Sequence, residues 1–488
     1  MSMVEGNEVV AARGVIATGP AGAARVGGRI FELGGNAMDA AAAACLACTV
    51  LEPQAVDLGG YVAAGVILEG RTGRVWSIDS NSVAPAAAHE NMYEVLPPTA
   101  KAPGINELEY GCSVRGDANV YGPLSVGVPG FIGGVGTLWE RWGRLRWPEI
   151  IAPARELLRS RLSYDLIRHS VAKKREAIAR FPTTAQLLDE RTWPGGEQAH
   201  TLERLSAAGW RDFYEGELGR EIADFVEAQG GILTRADMAA FAPRVSEPCS
   251  ASYGNATLHT AIAPNGGFSV LDALRDWRAI SEDGEYWERL TGLLKSMWRR
   301  RLGAADLQAS PHGTVHVASA DREGNLVSMT ISQGGLFGSC LAVPGTGIIL
   351  GHGMCRFDPH PRLANSPGPS KRPLNNICPM IIRMADRDVA IGARGGRRIV
   401  SVAVQFVHRI VDWGAATYQA AAAPRMHVIG DGPIEVSSNF DPSVRRTLEA
   451  RGHRTEMPEE VAGAAHGAEI LKPSGQLRAG GNTLAVGV

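Results

Sequence analysis

The stretch Gly313-Thr314-Val315-His316, running on through Val317-Ala318-Ser319-Ala320 to Asp321-Arg322-Glu323-Gly324-Asn325, constrains this chain more than any other. Its half-apolar run reads as a strand, and the Glu-Gly-Asn turn closes it. A threonine at the head of a buried strand is ordinarily a β-branched packing residue. Here a glycine precedes it, and a second glycine feature lies downstream: Gly395-Gly396 within Ile391-Gly392-Ala393-Arg394-Gly395-Gly396-Arg397-Arg398. With no Cβ in the way, two successive glycines can offer two backbone N–H groups to one developing oxyanion. Together the two features point to a threonine nucleophile that becomes an N-terminus by self-cleavage.

Composition sets the outer bounds. A chain of 488 residues holds two to four ordinary domains or one large one, and 45% hydrophobic residues suffice for a sizeable core. A net charge of −2 gives no electrostatic case for nucleic acid or an anionic membrane as partner. No apolar run approaches the length of a bilayer span. Seven cysteines, an odd number, form no disulfide framework. Cys45 and Cys48 make a CxxC, but in an Ala-rich helical run, so they read as small core residues. The twelve histidines show no HExxH or paired spacing, so no metal and no cofactor is expected. Met1 to Glu8 contains neither a basic n-region nor an apolar h-region, which gives the expectation of a cytoplasmic protein.

Hydrophobic periodicity predicts a mixed α/β protein of stacked layers. An Ala-rich helix is expected from Ala37 to about Thr49, and strands over Val62–Leu68 and Val75–Ile78 around the turn Gly70-Arg71-Thr72-Gly73. Residues 90–120 lack periodicity and read as a surface excursion. Residues 130–245 read as mainly helical, 251–263 as strand, and the part after Thr314 as strands up to a helix over Ile399–Val411.

At this point the chain resembles the γ-glutamyltranspeptidase family of N-terminal-nucleophile (Ntn) hydrolases. Gly34-Gly35-Asn36-Ala37-Met38-Asp39-Ala40-Ala41 is similar to the family's GGNAxDAA signature, and Leu58-Gly59-Gly60 to its glycine-rich turn. The run from Gly122 to Gly130 is similar to its middle motif, and Gly230-Gly231-Ile232-Leu233-Thr234 with Asp237 to its GGxLTxxDL element. Val343-Pro344-Gly345-Thr346-Gly347-Ile348, Lys371-Arg372-Pro373-Leu374, Gly395-Gly396 and Ala423-Pro424-Arg425 resemble motifs of its small subunit. The resemblance implies a four-layer αββα sandwich with two central, largely antiparallel sheets. It implies a large subunit, 1–313, and a small subunit, 314–488, that stay together as one unit after cleavage, with a homodimer of processed units left open. Relatives carry a long segment before the nucleophile; here about a dozen residues, Leu302 to Gly313, follow the helix Tyr286–Arg301, which limits the swing of the cut end. Arg299-Arg300-Arg301 reads as a solvated helix end.

The implied chemistry has two stages. Thr314 Oγ attacks the carbonyl of Gly313, and water hydrolyses the resulting ester. The freed α-amino group, with an ordinary pKa of about 7.7–8.0, then serves as the base for the hydroxyl. Gly313 is expected to tolerate the strained backbone of the first attack. Gly395 and Gly396 would form the oxyanion hole. Ser332 falls where the family places a second hydroxyl beside the nucleophile, with Thr330 nearby.

The substrate pocket departs from the family. Asn81 stands in place of the arginine that grips the glutamyl α-carboxylate, and Arg356 in place of the aspartate that pairs with the α-ammonium. Gly353 replaces a glutamine, Asn375-Asn376 replace paired serines, and Gly334 replaces an asparagine that contacts the nucleophile's amine. A cation at 356 repels an α-ammonium. Arg356, with Arg394, can instead hold an acyl group carrying a carboxylate and no amine. The leading expectation is therefore an Ntn hydrolase acting on an amide or related acyl bond of a small acidic substrate. The alternatives are a γ-glutamyltransferase or glutathione hydrolase with a rebuilt pocket, a hydrolase of activated C–C bonds, and an unprocessed, non-catalytic relative.

Overall fold

The computed structural model describes residues 3–97, 110, 112–160, 162–278, 281, 284–302, 313–458 and 463–488. The short stretch before Gly313, and the middle of the excursion expected over 90–120, lie outside the described residues.

The N-terminal part supplies β1 (Val4–Ala11), β2 (Gly14–Thr18), β3 (Val62–Glu69) and β4 (Arg74–Asn81). After a mainly helical stretch come β5 (Arg244–Ser246), β6 (Cys249–Tyr253) and β7 (Ala256–Thr260). The C-terminal part opens with β8 (Gly313–Asp321) and β9 (Leu326–Gly334), then forms a small ribbon of β10 (Leu341–Val343) and β11 (Ile348–Leu350). It returns to the sheet with β12 (Met380–Arg383) and β13 (Arg387–Ala393). A satellite of β14 (Met426–His427), β15 (Ile434–Val436) and β16 (Thr455–Glu456) precedes β17 (Ala465–Leu471) and β18 (Leu477–Gly487).

Among the described residues the main sheet runs β5-β4-β3-β9-β8-β2-β18-β17-β13-β12-β7-β6, with β1 also on β18. The sheet curls so that β3, β8 and β9 lie across from β12, β13 and β17. Helices Ala21–Glu32, Ala37–Leu51 and Phe131–Trp142 cover one half, and Gly267–Leu274, Arg398–Val407 and Thr417–Ala422 the other. The result is the αββα sandwich, whose two central layers are halves of one continuous hydrogen-bonded sheet.

Strand alternation decides which way the first residues of β8 face. Val315 and Val317 pack into the core shared with the Ala37–Leu51 helix, whereas Ala318 and Ala320 pack into the core between the sheet halves. Thr314 and His316 share the parity of Ala318 and therefore face the interior between the layers. On β9, Ile331 and Met329 pack toward the helices, and Ser332 and Thr330 lie opposite Thr314 and His316.

Several of the quoted motifs are architectural. Asn36 caps the Ala37–Leu51 helix, accepting from the backbone N–H groups of Met38 and Asp39 at 3.0 Å each, while Asp39 accepts from the N–H of Asn36. Asp321 accepts from the N–H of Ala37 at 2.8 Å, and Ser319 donates to its carbonyl at 2.7 Å, which ties the helix start to β8. Thr234 and Asp237 form a second capping box. Cys45 and Cys48 are buried in the alanine helix, and burial pushes both thiols well up, as small core residues require.

Candidate active site

The end of the Ala37–Leu51 helix delivers the loop Glu52–Gly60 against the head of β8. Gly313 sits in a slot there. A Cβ at that position would approach the Cα of Ala55 at 2.9 Å and the carbonyls of Gln54 and Gly335 at 3.0 Å. The backbone of Gly313 lies outside the left-handed region. The glycine is therefore required by close packing.

Thr314 is 3% exposed. Its Oγ1 lies 3.0 Å from Ser332 Oγ on the neighbouring strand. Ser332 Oγ also donates to the carbonyl oxygen of Gly313 and accepts from the N–H of Gly334 at 3.0 Å. A hydroxyl has one proton to give and two lone pairs. With its proton on Gly313 O and one lone pair on Gly334 N–H, Ser332 has one acceptor site left, and Thr314 O–H fills it. This arrangement polarises the carbonyl that Thr314 would attack, and offers a path for the threonine proton through Ser332 to the carbonyl oxygen. Further along the strands, His316 Nδ1 bonds Thr330 Oγ1 at 2.8 Å. Burial pulls the His316 imidazole down to about 3, so it is neutral at physiological pH. Thr330 serves that histidine and not Thr314.

A bulge between Gly313 and Thr314 sets Gly313 opposite Gly334. Gly334 has φ +98°, and a Cβ there would lie 2.2–2.4 Å from the ring of His352. His352 Nε2 accepts from the N–H of Gly335 at 2.5 Å, which leaves Nδ1 to donate to the carbonyl of Val120 at 3.1 Å. This neutral imidazole braces the end of β9 behind Ser332. Sequence reasoning passed over His352; the legible signal was a glycine inside a strand, which marks close approach of another group.

Two cavities meet at Thr314. The smaller, a void of about 10 Å³, is lined by Tyr61, Ser332, Gly334, Arg356, Asn375, Asn376 and Gly396 among others, with no carboxylate in its wall among the described residues. The Arg356 guanidinium lies 5.4 Å from the ring centroid of Tyr61, and Tyr61 OH donates to Asn375 Oδ1 at 3.2 Å. Asn81 lines neither cavity. It is fully buried one layer back, donating to Pro373 O at 3.1 Å and accepting from Asn375 Nδ2 at 3.4 Å, so it supports the pocket instead of forming it. Arg301 corrects another expectation. Instead of a solvated helix end, its guanidinium reaches the carbonyl of Asn375 at 2.5 Å, Asn376 Oδ1 at 3.3 Å and Ser269 Oγ at 3.1 Å.

The larger cavity, about 540 Å³, opens on the other side of Thr314 and includes Glu52, Arg394, Gly395 and Arg425 in its wall. Arg394 Nη1 pairs with Glu52 at 3.2 Å. Gly395 and Gly396 have φ +129° and +57°, and they end β13 just before the Arg398–Val407 helix. A Cβ on Gly395 would come within 3.0 Å of the Cα of Gly463. Their carbonyls accept from the N–H groups of Arg398 and Ile399 at 3.1 Å each, which ties the pair to the start of that helix. One glycine lines each of the cavities that share Thr314.

The family described as Gamma-glutamyltranspeptidase matches residues 23–306 and 293–487 of this chain. The chain is 30% identical over 523 residues to the acylase ACY 1 proenzyme of Pseudomonas sp. (strain V22), covering 95% of this chain and 91% of that protein. It is 25% identical over 550 residues to the glutathione hydrolase proenzyme of Escherichia coli (strain K12), covering 96% and 90%. Among solved structures, a cephalosporin acylase from Bacillus halodurans superposes with a TM-score of 0.83 at 24% identity, covering 97% of this chain and 95% of that one.

Proposed function

The chain belongs to the γ-glutamyltranspeptidase family of Ntn hydrolases, enzymes acting on amide bonds, and from that premise we propose that it is a self-processing hydrolase using Thr314 as an N-terminal nucleophile on an amide of a small, acidic, non-glutamyl acyl group. The observation that carries this reading is the contact of Thr314 Oγ1 with Ser332 Oγ at 3.0 Å, where Ser332 also holds the carbonyl of Gly313.

In the first stage Thr314 Oγ forms a bond to the carbonyl carbon of Gly313 while its proton passes toward Ser332. The C–N bond to Thr314 then breaks, its nitrogen takes the proton, and water hydrolyses the ester. Release of Gly313 from between Ala55 and Gly335 opens space beside the small cavity. In the second stage the neutral α-amine of Thr314 takes the hydroxyl proton and Oγ attacks the substrate amide. The N–H groups of Gly395 and Gly396 hold the oxyanion, worth about 3–4 kcal/mol per donor in comparable sites. The amine product leaves with the proton, and water frees the acid.

Arg356, a cation in the wall of the small cavity beside Thr314, favours an acyl group with an anionic end and repels one with an ammonium. Removing the amine from a γ-glutamyl group gives a glutaryl group, the simplest acyl of this kind. The named acylase relative supports the reading, and the glutathione hydrolase relative keeps γ-glutamyl amides as the comparison. The test is hydrolysis of glutaryl-4-nitroanilide against γ-glutamyl-4-nitroanilide by the processed protein. Preference for the glutaryl compound is expected, and equal or better turnover of the γ-glutamyl compound would overturn the assignment of Arg356. We also propose a cytoplasmic location, which the seven free cysteines support.

A further inference from the structure

The larger cavity carries far more positive charge than negative. Among the described residues its wall holds Lys173, Arg394, Arg398 and Arg425 against one carboxylate, Glu52. Two of these cations are neutralised in place: Arg394 by Glu52, and Arg398 by Glu435 at 2.5 and 2.9 Å. Arg425 is not. It is 7% exposed, its Nη2 reaches Asn482 Oδ1 at 3.4 Å and its Nη1 a backbone carbonyl, and its Nε is buried with no acceptor among the described residues. No carboxylate lies within ion-pair reach of it among the described residues. Burial and the neighbouring Arg409 pull its pKa down to about 10, so it stays charged at neutral pH. A buried cation without a counter-charge is unfavourable unless something supplies one. Asn482, which takes up Nη2, lines the same cavity, which places the guanidinium at its wall. Lys173 stands exposed at the end of the helix Asp165–Lys173, on the rim.

We propose that this cavity is a leaving-group subsite in which Arg425 and Lys173 hold a carboxylate of the amine product. The inference rests on the reading of Thr314 as nucleophile and Arg356 as the acyl-end cation. It narrows the substrate class to a dianion with one carboxylate on each side of the scissile amide: an N-(carboxyacyl) amino acid or aminobenzoate. The volume suits such an amine, since small-molecule sites span about 300–1,000 Å³.

The test compares kcat/KM for glutaryl-4-aminobenzoate and glutaryl-4-aminobenzamide, which differ in the charge of the leaving group's para substituent, and the variants below control for that substituent's electronic effect. The processed wild type is expected to favour the carboxylate by about tenfold or more, the scale of a charge-assisted hydrogen bond. Arg425→Gln and Lys173→Glu are each expected to bring that ratio toward one. Should Arg425→Gln fail to fold, Lys173→Glu, on an exposed helix, decides. A wild-type ratio near one, or an unchanged ratio in processed Lys173→Glu, overturns the proposal. If the wild type hydrolyses neither compound, the reading of the acyl group fails and the subsite is judged by calorimetry. There, 4-aminobenzoate binding the wild type more tightly than Lys173→Glu supports the subsite, and equal or no binding rejects it.

Discussion

Thr314 and Ser332 face each other across β8 and β9 with their hydroxyl oxygens 3.0 Å apart, and Ser332 bonds the carbonyl oxygen of Gly313 at the same time. One serine thus touches both partners of the proposed self-cleavage. Ser332→Ala is expected to slow processing by about 10²–10³-fold, the scale for loss of one donor to a reacting carbonyl. Ser332→Thr keeps the hydroxyl and should process. Intact-mass time courses of the two variants check this, and normal cutting in Ser332→Ala would remove the serine from the reaction.

Thr314→Ala should give one uncut chain without hydrolase activity. In the wild type, fragments 1–313 and 314–488 should co-elute under native conditions, because the pairs β1·β18, β2·β18, β2·β8, β3·β9 and β7·β12 all join the two parts. Size-exclusion chromatography followed by a denaturing gel tests both statements.

Gly334→Ala should destabilise the fold by about 2–3 kcal/mol, as a strained backbone combined with overpacking does. The new Cβ would meet the His352 ring at 2.2–2.4 Å on a backbone at φ +98°. Thermal unfolding measures it. A Tm within about 1 °C of wild type would mean that the imidazole moves aside freely.

Arg356→Ala should lower kcat/KM on a glutaryl amide by an amount equivalent to about 2–5 kcal/mol, the cost of leaving a buried charge partner unpaired. Self-cleavage should continue, since that step uses the carbonyl of Gly313 and no substrate anion. Unchanged turnover of the acidic amide would detach Arg356 from substrate binding.

Asp57 gives a pH signature. It is fully buried beside Gln333, and burial pushes its carboxyl up to about 8 despite backbone N–H groups from Gly59 and Ile349. The folded state keeps a proton that the unfolded chain releases near pH 4, so this stability is complete below about pH 4 and is lost as pH rises through about 8. Asp57→Asn has no proton to lose. Its stability relative to wild type should therefore rise by about 1.4 kcal/mol per pH unit across that window. Chemical unfolding of both proteins at about pH 5 and about pH 8 reads the difference; a pH-independent gap would show the carboxyl to be ionised in the fold.

The elements were legible because their signals are local. The alanine helix, the hairpin of β3 and β4 and the strand headed by Gly313-Thr314 each announce themselves within about fifteen residues, by periodicity and turn glycines. Ser332 came from the resemblance to the family, and the structure places its hydroxyl 3.0 Å from that of Thr314. The pocket was not legible in the same way. Asn81 moved behind Asn375, Arg301 turned from solvent to the carbonyl of Asn375, and His352 filled the space left open by Gly334, each through contacts between residues far apart in the chain. Such contacts depend on how the sheet curls and which register its strands adopt, and side-chain direction follows from those and not from neighbouring residues. The amino-acid order alone pointed to the strands, the alanine helix and Thr314 as the candidate residue. Tertiary structure decided which cations face Thr314 and which merely support the wall, because packing sets a side chain's surroundings only after distant segments have met.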